Sequence, residues 1–360
     1  SVRKTKLEDF IFLLTLLLLP TQFGKHFWPD FSYISGIRVD YLSPTIYATD
    51  VLIIVLLILV FIKSFKSSIL KQIKKNRTLV LNFVLGAGLV AINILFSKNL
   101  LPSLYGALKL CECIFFALFT FYKIKKIKLN IILFTFSSGI ILESLLGISQ
   151  YLKQGSVGGL FYFLGERAFS GQTPGIANAS INGELILRSY GTFSHPNVLA
   201  GFLLLTLTLI LFNLNFKKTV TSVYVCAIVL GTAALFLTFS RIAIILWILS
   251  IFIFVFSKVK YNFKYKVLLL LIIILTILVS FVFYSPFYLR FIHSSFFEDA
   301  LVLRERLIVL GVEQFMKNPI LGGGINNYFS TVASRGNVFL LQPVHNIFLL
   351  TILQTGIFGF

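Results

Sequence analysis

His345 is the residue of this sequence whose type and setting most favour proton-transfer chemistry. It lies in Val344-His345-Asn346, where a polar stretch that begins at Ser285 ends and the chain becomes apolar again. A histidine at the start of a membrane helix is reachable from water yet shielded, so a nearby charge or partial burial can tune its proton affinity. We therefore expect His345 to be the reactive centre.

Arg241 is the second residue whose setting calls for an explanation. The apolar runs 220–239 and 242–256 are separated by Ser240-Arg241 alone. An arginine at the bilayer centre costs about 2.5–3.5 kcal/mol on insertion scales, so Arg241 is expected at the outer rim of the membrane or facing a polar cavity. The alternative interpretation is an interfacial anchor whose long side chain reaches the headgroups.

The polar stretch contains one predicted amphipathic helix, residues 298–317. Acidic residues open this helix and Lys317 closes it, as the helix dipole favours, and Asn318-Pro319 ends it. Its apolar residues at helical spacing are Leu301, Ile308, Val312 and Phe315. The helix is expected to lie along the membrane surface with Arg306 on a different face. The glycines 322–324 that follow could approach a phosphate closely, although a flexible turn is the commoner meaning.

The segment 151–196 is rich in glycine and carries a hairpin signal. Ile181-Asn182-Gly183-Glu184 predicts two short strands joined by a two-residue turn. Residues 191–197 then lead into a long apolar run, and Ser194, Pro196 and Asn197 are ordinary helix-start residues. That chemistry explains His195 less well.

Composition restricts the fold class and the partners. Of the 360 residues 57% are hydrophobic and only 12% are charged, so the chain is expected to be an all-α polytopic membrane protein in contact with membrane lipids. The formal net charge is +19, but the basic residues lie in short clusters between apolar runs, so no nucleic-acid partner is predicted. Carboxylates at metal-ligand spacing are lacking and the cysteines lie in apolar runs, so no metal is predicted.

The apolar runs predict about ten membrane helices, since roughly twenty apolar residues cross a bilayer. They are expected near residues 8–24, 46–64, 78–97, 101–122, 129–150, 197–213, 219–239, 242–257, 266–284 and 343–360. About five fall in residues 1–150 and four in 197–284, and the one in 343–360 is expected to be truncated. Residues 151–196 and 285–342 form the larger loops.

Orientation follows from the short basic loops. The clusters in residues 3–6, 63–77, 123–128, 217–218 and 258–266 all fall on one side of the membrane if the predicted helices alternate. Positive loops stay in the cytoplasm, so the segments 151–196, 240–241 and 285–342 are expected together on the outer face. The outer face would therefore carry a helical and hairpin loop region in which distant segments converge.

These residues resemble the O-antigen ligase and O-antigen polymerase superfamily. The similarity is carried by Arg188 with Gly191-Thr192-Phe193 and His195-Pro196-Asn197, by Phe239-Ser240-Arg241, by Arg306 with Asn318-Pro319-Ile320-Leu321-Gly322-Gly323-Gly324, and by His345-Asn346 with Gly356-Ile357-Phe358-Gly359. It covers roughly the last half of the chain. The sequence departs from the family at Gln354, where an acidic residue is common, and it lacks the final helices of the usual layout.

The resemblance implies a glycosyltransferase of the bacterial cytoplasmic membrane with an outward-facing active site and no cofactor. Its donor would be a glycan on a polyprenyl diphosphate and its acceptor a glycan or lipid hydroxyl. His345 would act as general base, or alternatively hold the diphosphate or sugar by hydrogen bonding. The diphosphate ligands would be Arg241 and Arg306, with Arg188 third, and Asn346 and His195 could contact substrate. For His195 a structural role is the favoured interpretation.

Three alternatives stay open. A polysaccharide polymerase or a protein O-oligosaccharyltransferase of the same superfamily would use the same chemistry on another acceptor. A lipid-linked glycan flippase or transporter is the alternative of another class, because Lys109, Glu112 and Glu143 lie inside predicted spans. Lys109 and Glu112 could instead pair on one helix face, and polar residues gathered at one face favour the enzyme.

Overall fold

The computed structural model describes residues 7–65, 77–181, 184–214, 220–258, 296–333 and 342–360, and it is mostly helical. The predicted span 266–284, His293 and most of the basic clusters lie outside the described residues. The chain divides into two compact units. The first comprises residues 1–24, 47–52 and 123–295, and the second comprises residues 25–46, 53–122 and 296–360.

Helices account for most of the described residues. They are α1 (Leu7–Leu18), α2 (Ala48–Phe65), α3 (Arg77–Leu95), α4 (Leu100–Ile124), α5 (Leu129–Lys153), α6 (Leu160–Phe163), α7 (Pro196–Phe212), α8 (Thr221–Leu237), α9 (Arg241–Lys258), α10 (Phe296–Lys317), α11 (Tyr328–Ala333) and α12 (Ile347–Gly359). The short strands are β1 (Gly24–His26), β2 (Tyr33–Ile34), β3 (Ile37–Arg38), β4 (Thr45–Tyr47), β5 (Asn178–Ile181) and β6 (Glu184–Leu187). Each pairs with one other strand, β1 with β4, β2 with β3 and β5 with β6.

Within the described residues the apolar runs coincide with helices, and the first of them ends earlier than predicted. The predicted helix 8–24 ends at Leu18, and residues 24–26 form β1 instead. Pro20 explains this correction, because proline lacks a backbone N–H and its ring clashes with a preceding helical turn. Within the described residues, α4 and α5 are long and apolar enough to cross a membrane, and the other apolar helices carry shorter stretches. A total of about ten membrane helices remains a prediction.

In the first unit, α5 packs against α7 and α8, and α7 packs against α9. Their contact is lined by a buried core that includes Ile140, Leu207 and Trp247. Gly231 of α8 lies at the closest approach, since a Cβ there would be 2.9 Å from Ile140 and 2.8 Å from Leu207. Small residues at helix contacts let apolar helices pack closely, as membrane helices require.

The predicted hairpin of the first unit is confirmed. Strands β5 and β6 are antiparallel, with Ile181 opposite Glu184, and Asn182-Gly183 between them lie outside the described residues. Arg188 follows β6 directly. The hairpin therefore ends directly before the motif that begins at Arg188.

In the second unit, α10 packs against α12, and α12 also contacts α3 and α11. The structure confirms a helix that ends at Lys317 before Asn318-Pro319, and it shows which face of that helix packs inside the unit. Leu307, Gly311 and Gln314 face the interior, whereas Ile308 and Val312 are exposed. Gly311 permits the contact, because a Cβ there would lie 3.1 Å from Leu353 of α12.

Candidate functional site

Arg188 joins two of the predicted motifs in the first unit. Its guanidinium is buried, with Nε donating to the carbonyl oxygen of Thr238 over 2.6 Å and Nη2 donating to Oδ1 of Asn197 over 2.7 Å. The next residue repeats the connection, since the Ser189 amide donates to the carbonyl of Leu237 over 3.0 Å. The segment after β6 is thereby joined to the turn between α8 and α9.

Arg241 stands at the end of that turn, as the first residue of α9, and its side chain is partly exposed. Phe239, two residues earlier, has a φ of 52° and a buried ring. Left-handed backbone is uncommon for a bulky residue and persists where the surroundings impose it. The hydrogen bond from Arg188 to Thr238 lies next to this strained residue, so the position of Arg241 depends on Arg188.

His195 caps α7. Its Nδ1 accepts a hydrogen bond from the Asn197 amide over 3.1 Å, and its ring meets the edge of Tyr190 with the centroids 6.4 Å apart. Pro196 occupies the first helical position, where its missing N–H is not needed. This geometry agrees with the structural role favoured for His195, and it leaves substrate contact as a prediction.

Side chains of α5 form a buried polar network with Gly191 and Thr192 that the sequence did not predict. The Gln150 side chain of α5 accepts from the Gly191 amide and donates to its carbonyl, both over 2.9 Å. Glu143, also on α5, accepts from the Thr192 amide over 2.8 Å. The three ionisable residues that suggested a transporter have structural partners. Glu143 holds the Thr192 loop, and Lys109 pairs with Glu112 over 3.3 Å, as the alternative interpretation predicted.

His345 lies in the second unit, two residues before α12, and its side chain is solvent-exposed. Desolvation by its neighbours lowers the pKa of the imidazole, and the positive charge of Arg304 lowers that pKa further. The neutral imidazole is thus favoured near pH 7, which is the form that can accept a proton. Asn346 caps α12, with Oδ1 accepting from the Phe348 and Leu349 amides over 3.0 and 3.1 Å.

Arg304 is the basic residue that sequence reasoning missed. The predicted ligand Arg306 is exposed on the same helix, α10, but the electrostatic effect on His345 comes from Arg304. Two residues along an α-helix are about 200° apart around its axis, so the two arginines point to different sides. Val344, the residue before His345, packs against α10 at Gly311. This tertiary contact places His345 near the helix that carries Arg304.

The glycines 322–324 form a packed turn whose amides are already used. The Gly322, Gly323 and Gly324 amides donate to the carbonyls of Asn318, Leu353 and Gln354 over 2.9, 2.9 and 3.0 Å. This turn interlocks with the end of α12, because the Ile357 amide donates back to the carbonyl of Pro319 over 2.9 Å. The interpretation as a structural turn is therefore supported over a backbone that binds phosphate.

Glycine is required on both sides of this contact. Gly322 has a φ of 69°, and a Cβ there would lie 2.6 Å from the carbonyl carbon of Gln354. Gly356 has a φ of 66° and kinks α12, and a Cβ there would overlap the carbonyl oxygen of Ile320. The close approach of two backbone segments therefore explains why glycine is needed both at Gly322 and at Gly356.

Asn93 of α3 secures the same turn from its other side. Its Nδ2 donates to the carbonyl of Leu321 over 2.8 Å and to that of Gln354 over 3.0 Å, and its Oδ1 accepts from the Ile325 amide over 2.9 Å.

Across the described ranges, no three His, Cys, Asp or Glu side chains are grouped so that they could hold a metal ion. Metal independence stays a prediction.

The predicted site residues fall into two groups by unit. Arg188, His195 and Arg241 belong to the first, and Arg306, His345 and Asn346 belong to the second. The structure brings the Arg188 segment to the turn before Arg241, as predicted for distant segments that converge. In the second unit the charge of Arg304 acts on the imidazole of His345, which was not predicted.

Comparison with known proteins bears on the second half of the chain. Residues 226–360 match the family described as O-antigen ligase. No curated protein and no solved structure matches the chain. The matched range begins within α8 and contains Arg241, Arg306 and His345. It supports a membrane protein that acts in lipid-linked glycan transfer. The match confirms the resemblance stated from the motifs, and residues 226–360 are similar to the O-antigen ligase family.

Proposed function

We propose that this protein transfers a glycan from a polyprenyl diphosphate carrier to an acceptor hydroxyl at the outer face of the bacterial cytoplasmic membrane. The observation that carries the proposal is that the range matching the O-antigen ligase family contains the predicted base, His345, and two predicted diphosphate ligands, Arg241 and Arg306. The lowered pKa of His345 supports its part, because a neutral imidazole is needed to accept a proton.

The reaction forms one bond and breaks another at the anomeric carbon of the donor. The acceptor oxygen attacks that carbon, its proton passes to the His345 imidazole, and the bond to the carrier phosphate breaks with both electrons leaving on the diphosphate. General base catalysis of this kind typically contributes about 10²–10⁴ in rate. The protonated imidazole then returns its proton to water.

Arginine suits the leaving group, because its planar guanidinium stays charged and can donate two parallel hydrogen bonds to a phosphate. We assign this binding to Arg241 and Arg306. Desolvation lowers the pKa of the His345 imidazole, and the positive charge of Arg304 lowers it further. The buried guanidinium of Arg188 holds Thr238 and Asn197, so its contribution is to fix the backbone that leads to Arg241.

The acceptor defines the alternatives within the superfamily. A polymerase would use a second lipid-linked glycan, and a protein O-oligosaccharyltransferase would use a serine or threonine hydroxyl. Both would need the same base and the same diphosphate ligands. We retain the ligase reading, in which a lipid-borne glycan is the acceptor, because it agrees with the description of the matching family.

Transfer in vitro tests the proposal. The full-length protein in detergent or vesicles is given a defined polyprenyl diphosphate glycan and candidate acceptors, and product is followed by mass spectrometry. His345→Ala is expected to lose at least about a hundredfold in rate. Arg241→Lys is also expected to be impaired, since a point charge does not replace a planar fork. Unchanged transfer in both variants would overturn the mechanism.

A further inference from the structure

We propose that Glu143 is a neutral carboxylic acid that positions the Gly191-Thr192 turn. Glu143 lies in α5 and is buried, whereas the turn lies between Arg188 and His195. The protonation of Glu143 does not depend on any activity of the protein, whereas its effect on catalysis rests on the proposed function. Nothing in the sequence signalled this contact, since the two partners are 49 residues apart.

Three short contacts define the arrangement. Oε2 of Glu143 accepts from the Thr192 amide over 2.8 Å. Oε1 of Glu143 lies 2.9 Å from Oγ1 of Thr192, and the same Oγ1 lies 2.7 Å from the carbonyl oxygen of Pro20. Both oxygen pairs are at hydrogen-bond distance, so each needs a hydrogen between its atoms.

Counting hydrogens assigns the donor. A threonine hydroxyl carries one hydrogen, and the Pro20 carbonyl can only accept. An ionised Glu143 also only accepts, which would leave one of the two oxygen pairs as two acceptors in contact. A protonated Glu143 removes the conflict, because Oε1 donates to Thr192 Oγ1 and that hydroxyl donates on to Pro20. Burial of an unpaired carboxylate would be costly in addition.

Glu166 is the matched contrast within the same network. It is also buried, with 3% of its surface exposed against 7% for Glu143. Its Oε1 accepts from Gln150 Nε2 over 2.9 Å and from the Val157 amide over 2.7 Å, and its Oε2 accepts from the Gly158 amide over 2.7 Å. Every one of these neighbours is a donor, so Glu166 needs two accepting oxygens where Glu143 needs one acceptor and one donor.

The turn held by Glu143 connects the two ends of the first motif. Gly191 has a φ of 59°, and a Cβ there would overlap Glu143 Oε2, so the carboxyl group fills the space that glycine leaves. The turn separates Arg188, which reaches Thr238, from His195, which caps α7. Glu143 therefore acts through these residues as a positioning residue and does not touch substrate.

Glutamine substitution separates the two glutamates. In Glu143→Gln the amide oxygen can accept from Thr192 N while the NH₂ group donates to Thr192 Oγ1, so melting temperature and transfer rate should stay within about twofold of wild type. In Glu166→Gln the NH₂ group must face an N–H donor, so transfer should fall at least about tenfold. Glu143→Ala should fall as far as Glu166→Gln. Loss of folding or transfer in Glu143→Gln equal to that in Glu143→Ala would overturn the proposal.

Infrared spectroscopy provides a readout that does not require transfer. A protonated carboxylic acid has a C=O stretching band that an ionised carboxylate lacks and that shifts on deuterium exchange. Glu143→Gln should remove one such band from the wild-type spectrum and Glu166→Gln should remove none. Absence of a lost band in Glu143→Gln would overturn the inference. If the wild type shows the band but no transfer, the proposed function fails while the assignment of Glu143 stands.

Discussion

Arg188 donates a hydrogen bond to the carbonyl oxygen of Thr238 over 2.6 Å, across 50 residues of sequence. The contact joins the loop after β6 to the turn that precedes Arg241 in the first unit. Because Arg188 also donates to Asn197 at the start of α7, one guanidinium joins both segments. Two motifs that are separate in the sequence are thus one structural feature.

We predict that Arg188→Lys destabilises the protein by about 2–3 kcal/mol, because one ammonium does not reproduce the two donor directions of Nε and Nη2 and the Thr238 carbonyl is buried. Thermal unfolding in detergent measures this loss. Arg167→Lys is the control, since Arg167 is exposed and its hydrogen bond to the Ser194 carbonyl, over 2.8 Å, lies at the protein surface. This substitution should change stability by less than about 0.5 kcal/mol. Equal melting temperatures for the two variants would contradict the prediction.

The pH dependence of transfer should report the protonation of His345. Its pKa is lowered, so the neutral base is lost only as the pH falls through a value below the usual range for histidine, and activity should decline there. Arg304→Gln removes one of the two causes of the lowering. We therefore expect the acidic limb of kcat/KM to move toward higher pH in that variant.

Arg306→Gln is the matched control for that experiment. Its side chain is on another side of α10, so it should lower kcat/KM through weaker diphosphate binding without moving the acidic limb. A pH–rate profile of each variant decides the matter. An unmoved limb in Arg304→Gln, or an equal shift in Arg306→Gln, would contradict a specific effect of Arg304 on the pKa of the His345 imidazole.

Gly356→Ala should be among the most damaging small substitutions in the second unit. It adds a left-handed strain of about 1–2 kcal/mol and drives a methyl group into the Ile320 carbonyl, so a total loss above about 3 kcal/mol is expected. Gly36→Ala is the control, because Gly36 has a φ of 80° but nothing within 4 Å of its Cβ position. Thermal unfolding should separate the two variants, and equal losses would show that backbone strain alone matters.

Lys123 should be required for the stability of the first unit. Lys123 is buried, and its Nζ lies 3.1 Å from Glu8 Oε2 and 2.5 Å from Asp9 Oδ1, so Lys123→Met removes one cation from both carboxylates. Because the carboxylate side chains are 14% and 28% exposed, a loss of about 1.5–3 kcal/mol is expected, which is less than for a fully buried pair. The exposed Lys126 provides the control, and limited proteolysis or thermal unfolding gives the measurement. A Lys123→Met protein as stable as Lys126→Met would refute a structural role.

Local features of the fold could be predicted from the sequence. Apolar runs marked α2 to α5, α7 to α9 and α12 within a few residues, Asn182-Gly183 marked the hairpin, and Asn318-Pro319 marked the end of α10. These elements depend on neighbouring residues, because hydrophobicity, turn preference and proline stereochemistry act over a few positions. The candidate residues His345, Arg241 and Arg306 were chosen from such local settings, and their roles remain predictions.

Tertiary structure decided which side chains those elements bring together. Periodicity suggested that Ile308 and Val312 mark one apolar face of α10, yet Leu307 and Gly311 face the interior. In a protein adapted to lipid, outward side chains are as apolar as inward ones, so an apolar pattern does not identify the buried face.

The partners of the polar residues were decided in the same way. Glu143 with Thr192, Arg304 with His345, and Gly322 with the end of α12 each join positions far apart in the sequence. Hydrogen-bond satisfaction and close packing select such partners only once the chain is folded. The sequence by itself therefore determined the helices and the chemistry available, and the three-dimensional packing determined which groups can act together.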